Sequence, residues 1–147
     1  MLIAIGSDHA GYDQKARLAG YLAAQGHEVT DHGTSNAEES VDYPDFALAV
    51  GRAVAGGSVD FGVLVCGTGI GMAIAANKVR GVRAANVTNP AFAKLAREHN
   101  DANVVTLSAR FVPVQVNEEI LDAFLGTEFA GARHANRVAK ITAAEHR

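Results

Sequence analysis

Phe61-Gly62-Val63-Leu64-Val65-Cys66-Gly67-Thr68-Gly69-Ile70-Gly71 is the stretch from which the architecture follows. Phe61 to Val65 is apolar apart from Gly62, the composition of a strand covered on both faces. Cys66 to Gly71 reads as a glycine-rich turn, and a short helix is predicted from there to about Asn77. Strand, tight turn and helix in direct succession open a parallel α/β layer.

The same alternation extends in both directions. Upstream, Leu2 to Ile5 is a predicted buried strand, followed by the polar turn Gly6-Ser7-Asp8-His9-Ala10-Gly11. A helix is expected from about Tyr12 to Ala24, with Leu18 and Leu22 on one face and Gly26 as its stop. His27 to Asp31 fits a more polar strand, and residues 33 to 42 read as loop. Pro44 suits the first turn of a helix carrying Phe46, Val50 and Val54, which Gly56-Gly57 ends. Downstream, Val82 to Val87 is a fourth predicted strand. Pro90 to Glu98 is a helix with Phe92, Leu95 and Ala96 on one side. Val104 to Leu107 is a fifth strand, and the helix marked by Val116, Ile120, Leu121 and Phe124 closes at Gly126. The pattern predicts a five-stranded parallel sheet covered on both faces, with right-handed crossovers. An extra helix from about Ala132 to Glu145 has only Val138 and Ile141 as apolar anchors. So polar a helix gains little from its own sheet and is expected over a partner subunit.

Composition bounds the function. The 147 residues fit one domain. With 48% hydrophobic and 20% charged residues, a core is easily built. A net charge of −3, from 13 Lys+Arg against 16 Asp+Glu, argues against a general nucleic-acid binder. One cysteine permits neither an internal disulfide nor a Cys-rich zinc module, and the six histidines form no convincing metal frame. Met1-Leu2-Ile3-Ala4-Ile5-Gly6 lacks the basic start of a signal peptide, and no run of 18 apolar residues exists. The expectation is a soluble cytoplasmic protein without nucleic-acid or membrane partners.

Ligands of parallel sheets bind beyond the carboxyl ends of the strands. Asp8 and His9 follow the first strand, Cys66 to Gly71 the third, Thr88 and Asn89 the fourth, Ser108 and Arg110 the fifth. His99 and Asn100 fall between a helix and a strand, where that rule does not place them. Gly67, Gly69 and Gly71 allow the backbone close to a ligand, and their amides open onto a helix as an anion cradle. The stretch is not a nucleotide P-loop, because Gly71-Met72-Ala73 replaces Gly-Lys-Ser/Thr. Met72 also breaks the dinucleotide Gly-x-Gly-x-x-Gly pattern begun at Gly67, and stands where a cysteine phosphatase loop needs arginine.

Each residue has a plainer reading beside the functional one. Cys66 is a buried inert thiol or a thiolate favoured by a helix N-terminus. Asp8 is a helix cap or a ligand for a sugar hydroxyl, and His9 a surface residue or a phosphate donor. His99 favours the negative end of a helix or transfers protons. Arg133, Arg137 and Lys140, spaced by four and three, form a solvated basic face or a phosphate clamp.

Taken together, these segments closely resemble one family, the B-type ribose-5-phosphate isomerases and their relatives acting on six-carbon sugar phosphates. The matching pieces are Gly6-Ser7-Asp8-His9-Ala10-Gly11, Asp42-Tyr43-Pro44, Cys66-Gly67-Thr68-Gly69-Ile70-Gly71 and Ile74-Ala75-Ala76-Asn77-Lys78. Ala96-Arg97-Glu98-His99-Asn100-Asp101-Ala102-Asn103, Ser108-Ala109-Arg110 and Arg133-His134-Ala135-Asn136-Arg137-Val138 complete them. They run in order through nearly the whole chain, and their joint occurrence is highly specific.

The resemblance implies one sugar-phosphate isomerase domain over residues 1–147. It implies a three-layer α/β/α sandwich with a Rossmann-like sheet, acting as a homodimer, sometimes paired into tetramers, with sites at the subunit interface. It implies aldose–ketose isomerisation of a sugar phosphate without metal or organic cofactor. Cys66 corresponds to the base that moves the proton between C2 and C1. Gly67, Gly69, Ile70 and Gly71 belong to the enediolate-binding loop, with Thr68 assisting near O1 and O2. His99, aided by Asp8, resembles the ring-opening apparatus. His9, Arg133 and Arg137 look like phosphate ligands, with Arg110 and Asn100 nearby. Met72 stands where other members carry a glutamate base, so the chain is of the cysteine type; Ala109 replaces a familiar glycine. The leading expectation is ribose 5-phosphate as substrate. The alternatives are allose 6-phosphate, galactose 6-phosphate or a related sugar, and a non-enzymatic phosphate- or nucleotide-binding regulatory module.

Overall fold

A computed structural model describes residues 1–146. The elements alternate along the chain: β1 (Leu2–Ser7), α1 (Tyr12–Ala24), β2 (Glu28–Asp31), α2 (Tyr43–Ala55), β3 (Phe61–Cys66) and α3 (Ile70–Ala76). They continue with β4 (Ala84–Asn86), α4 (Pro90–Asn100), β5 (Val104–Ser108), α5 (Val114–Leu125) and α6 (Arg133–Ala144). The five strands form one sheet in the order β2-β1-β3-β5-β4, and every pairing is parallel.

The strand period of two distributes the core between two faces. Ile3, Ile5, Val63, Val65, Val105 and Leu107 face α1, α4 and α5, where they meet Leu18, Leu22, Ala93, Ile120, Leu121 and Phe124. Ala4, Leu64, Cys66 and Val104 face α2 and α3, against Ala47, Val50, Val54, Met72 and Ala76. This is the expected α/β/α sandwich, with α6 as the extra helix.

The structure corrects the sequence reading in three places. The fourth strand is shorter than Val82 to Val87: the Arg83 N–H donates to the Asn103 side chain at 2.7 Å, so the ladder begins at Ala84. α4 runs through His99 and Asn100, which therefore belong to its last turn. It stops at Asp101, whose backbone is left-handed (φ 48°) and whose N–H closes onto the Arg97 carbonyl at 3.2 Å. On α4 the inward face is Ala93, Ala96 and Arg97, while Phe92 and Leu95 stand outward, 61% and 42% exposed. The small alanines let the helix seat close to its neighbours and leave the large side chains outside. The extra helix α6 rests on α4 of its own chain. Its anchor is the buried His134, while Ile141 remains 47% exposed.

Candidate active site

From β1 the chain crosses outward to β2 and then returns to β3 on the other side of β1. Crossovers leaving two neighbouring strands in opposite directions open a crevice between their carboxyl ends. Asp8 follows β1 and Cys66 ends β3, so the topology places both beside that opening. The Asp8 N–H donates to the Val65 carbonyl at 3.3 Å, which ties the two strand ends together. Asp8, Tyr43, Cys66, Gly67, Thr68, Ile70, Gly71, Ile74 and Arg110 line an open crevice of about 470 Å³, a size suited to a small molecule.

The Cys66 thiol is 5% exposed and accepts the Gly69 N–H at 3.1 Å. The Thr68 hydroxyl accepts the Ile70 N–H at 3.1 Å. Among the described residues, the N–H groups of Thr68 and Gly71 have no acceptor in the chain. The loop thus places one amide donor on the sulfur and leaves others uncommitted.

Glycine is required at Gly69, and Gly71 gives the Tyr43 ring its seat. Gly69 has φ 80°, and a Cβ on it would meet the Leu107 carbonyl oxygen at 2.9 Å. Gly71 is overlaid by the Tyr43 ring, so that a Cβ would come within 2.8 Å of the Tyr43 hydroxyl. Gly69 itself does not line the crevice; it packs behind the loop against Asn86 and β5.

The remaining lining residues are held from below. Asp8 is not the cap of α1, because Gly11 occupies that position; its Oδ1 accepts the Gly11 N–H at 3.0 Å and folds the turn back on itself. His9 follows Asp8 but does not line the crevice; its Nδ1 accepts the Val41 N–H at 3.1 Å, fixing the ring beside the 33–42 loop. That loop is fastened by Lys15, 1% exposed, which donates to Asp31 at 2.7 Å and to the Thr34 carbonyl at 2.5 Å. Arg110 reaches across Gly67, where a Cβ would meet its Nη1 at 3.2 Å. Buried Asn117 donates to the Ser108 carbonyl at 3.0 Å, and Gln14 to those of Ala109 and Val112 at 3.1 and 3.2 Å. These bonds hold the turn that carries Arg110.

His99, Asn100, Arg133 and Arg137 are absent from this crevice and gather elsewhere. His99 stacks on His134 with ring centroids 4.2 Å apart and planes 15° from parallel. Arg137 Nη1 lies 3.4 Å from His134 Nδ1, while Arg133 and Arg137 are otherwise exposed. Asn100 lines a separate hollow with Asn77, Arg83, Ile141 and Glu145. Burial lowers the His134 pKa below the ordinary histidine value, and the positive charges of His99, Arg133 and Arg137 lower it further; Glu98 opposes them. The described residues contain no group of three His, Cys, Asp or Glu side chains arranged to hold a metal ion, and no helix long and apolar enough to cross a membrane.

The sequence reading assigned no role to Tyr43 or His134, although both lie inside quoted motifs. An aromatic directly before a helix-starting proline, and a histidine between two arginines on one helix, were the available signals. Thr106 was missed as well; it is a polar residue in the otherwise apolar run Val104-Val105-Thr106-Leu107.

The comparisons with known proteins agree with one another. Ribose-5-phosphate isomerase B of Escherichia coli (strain K12) is 47% identical over 145 residues, covering 99% of this chain and 97% of that one. Clostridium thermocellum ribose-5-phosphate isomerase B superposes with a TM-score of 0.97 at 51% identity, covering 99% and 98% of the two chains. The Mycoplasma genitalium enzyme, solved with bound ribulose-5-phosphate, superposes at 0.96 with 44% identity, covering 99% and 97%. The model of the ribose/galactose isomerase family matches residues 3–141. With the glycine loop, nearly all of the sheet and most of the terminal helix inside that match, the chain belongs to the ribose/galactose isomerase family.

Proposed function

We propose that the chain, as one isomerase domain over residues 1–147, interconverts D-ribose 5-phosphate and D-ribulose 5-phosphate through an enediolate. The observation that carries this reading is Cys66: a single thiol at a strand end, held by the Gly69 amide and sharing with Arg110 a crevice of small-molecule size. Ring opening exposes C1. Cys66 then takes the C2 proton and returns it to C1, so one base serves both carbons, while the O2 hydroxyl proton passes to O1 beside the Thr68 hydroxyl. The negative charge developing on O1 and O2 is met by the amides of Gly67 to Gly71 and by the Thr68 hydroxyl. Donors fixed before the reaction begins stabilise such charge without reorganising. The phosphate supplies remote binding energy for a substrate that is otherwise small.

The full site in this reading needs two copies of the chain. Asp8, His9, Cys66, Thr68 and Arg110 come from one copy; His99, Asn100, Arg133 and Arg137 come from its partner. Several facts support this. The second set lies outside the first set's crevice, and its arginines point to solvent. Ile70, Ile74, Phe92 and Leu95, all between 42% and 61% exposed, give α3 and α4 the apolar surface a homodimer would cover. His99 opens the sugar ring with Asp8 holding a hydroxyl, while Arg133, Arg137 and His9 bind phosphate.

The test is NMR in heavy water with ribose 5-phosphate and allose 6-phosphate supplied separately. Ribulose 5-phosphate formation with deuterium entering at C1 or C2 is the expected result. Faster conversion of allose 6-phosphate would keep the chemistry and change the substrate. No turnover of either sugar, nor of galactose 6-phosphate, would overturn the reading in favour of a phosphate-binding module.

A further inference from the structure

An oxyanion loop works only if its peptide groups present N–H rather than C=O to the reacting oxygens. Four successive carbonyls of this loop are engaged by donors from behind. The Cys66 carbonyl accepts the Ala109 N–H at 2.9 Å. The Gly67 carbonyl accepts the Arg110 N–H at 3.1 Å and the Ser108 hydroxyl at 2.8 Å. The Thr68 carbonyl accepts Asn86 Nδ2 at 3.2 Å. The Gly69 carbonyl accepts the Thr106 hydroxyl at 2.8 Å and the Ala73 N–H at 3.1 Å.

Three of these donors are side chains of the strands behind the loop, and two of them, Asn86 and Thr106, are linked. Asn86 Nδ2 also donates to the Thr106 hydroxyl at 3.1 Å, so that hydroxyl accepts from Asn86 while donating to Gly69. The Ser108 hydroxyl accepts the Phe111 N–H at 3.0 Å while donating to Gly67. Thr106 is fully buried and Ser108 is 2% exposed, where an unpaired hydroxyl is costly. Neither lines the crevice. We infer that Thr106, Ser108 and Asn86 are positioning residues that hold the Gly67, Thr68 and Gly69 carbonyls turned inward, so that the Thr68 N–H stays aimed at the developing enediolate, the Gly69 N–H at the Cys66 thiol and the Ile70 N–H at the Thr68 hydroxyl. This rests on the isomerase reading of the same crevice. Glycine makes the device necessary: a chain this free to rotate can reverse a peptide plane and present a carbonyl to the oxyanion, turning attraction into repulsion.

The variants are Thr106→Val and Ser108→Ala, each removing one hydroxyl at nearly constant shape, with Thr106→Ser restoring the donor. Loss of a whole oxyanion donor costs about 10²–10³ in kcat; loosening the loop is expected to lower kcat about 10- to 100-fold, a part of that effect. KM for ribose 5-phosphate and competitive inhibition by inorganic phosphate should stay within about twofold, since phosphate is bound elsewhere, and Thr106→Ser should recover most of kcat. A loss of stability alone would not produce that split between kcat and KM in the folded fraction. If Thr106→Val does not fold, Ser108→Ala decides. Folded variants with wild-type kcat beside an active wild type would overturn this inference alone. An inactive wild type would remove the isomerase reading and this inference together.

Discussion

The turn after β3 and the surface of α6 both carry residues assigned to one reaction, yet the chain treats them oppositely. The β3 turn is tied down on its inner side by β4, β5 and the turn beyond β5. α6 rests on α4 through a histidine stack, and its end is held where Glu145 accepts the Gly81 N–H at 3.0 and 3.1 Å. One region is finished within a single chain; the other presents its chemistry outward. The difference separates two demands. Stabilising a developing charge needs dipoles fixed to within tenths of an ångström, which a sheet can provide. Gripping a phosphate needs mobile cations that close on it, which an exposed helix can provide once something lies opposite.

The largest effect expected is from Cys66→Ala. Loss of a general base typically costs about 10²–10⁴ in rate, and here turnover should fall at the upper end of that range while inorganic phosphate still binds. Mixing that protein with His99→Ala, after dissociation and reassociation, should restore activity, because a mixed dimer holds one intact site. No recovery in mixtures shown to exchange subunits would break the division between the two regions. A smaller effect is expected from Arg137→Ala. A lost charge-assisted hydrogen bond is worth about 1.5–3 kcal/mol, so KM should rise roughly 10- to 100-fold with kcat less affected; an unchanged KM would remove Arg137 from the phosphate site.

The smallest effect concerns pH. The folded His134 pKa lies below its unfolded value of about 6.5. The unfolded chain therefore binds more protons below pH of about 6.5, so this residue's share of stability is complete above that value and is lost as pH falls through the folded pKa. His134→Gln should flatten the acid side of a melting-temperature profile. A profile as steep as that of the wild type would mean that other groups control α6.

Much of this was legible in advance, and the reasons are local. The apolar run Phe61–Val65 and the turn signals at Gly26, Gly56-Gly57 and Gly126 act within a few residues, so periodicity revealed the elements. Asp8, Cys66 and Arg110 each follow a strand, so the parallel-sheet rule brought them together. Strand order was not legible, because it depends on which apolar faces meet at long range. The last turn of α4 was missed because its stop is a left-handed aspartate rather than a glycine. The positioning hydroxyls at Thr106 and Ser108 were unassigned because a hydrogen bond to a distant carbonyl leaves no spacing in sequence.

One consequence follows from there being a single cysteine, buried as it is inside the glycine loop. On the isomerase reading, counting thiols in this protein is counting sites. A small alkylating reagent should consume one equivalent per chain and end turnover in proportion, while a bulky one is slowed by the enclosing loop. Protection by a bound sugar phosphate then reports occupancy directly, without any assay of product.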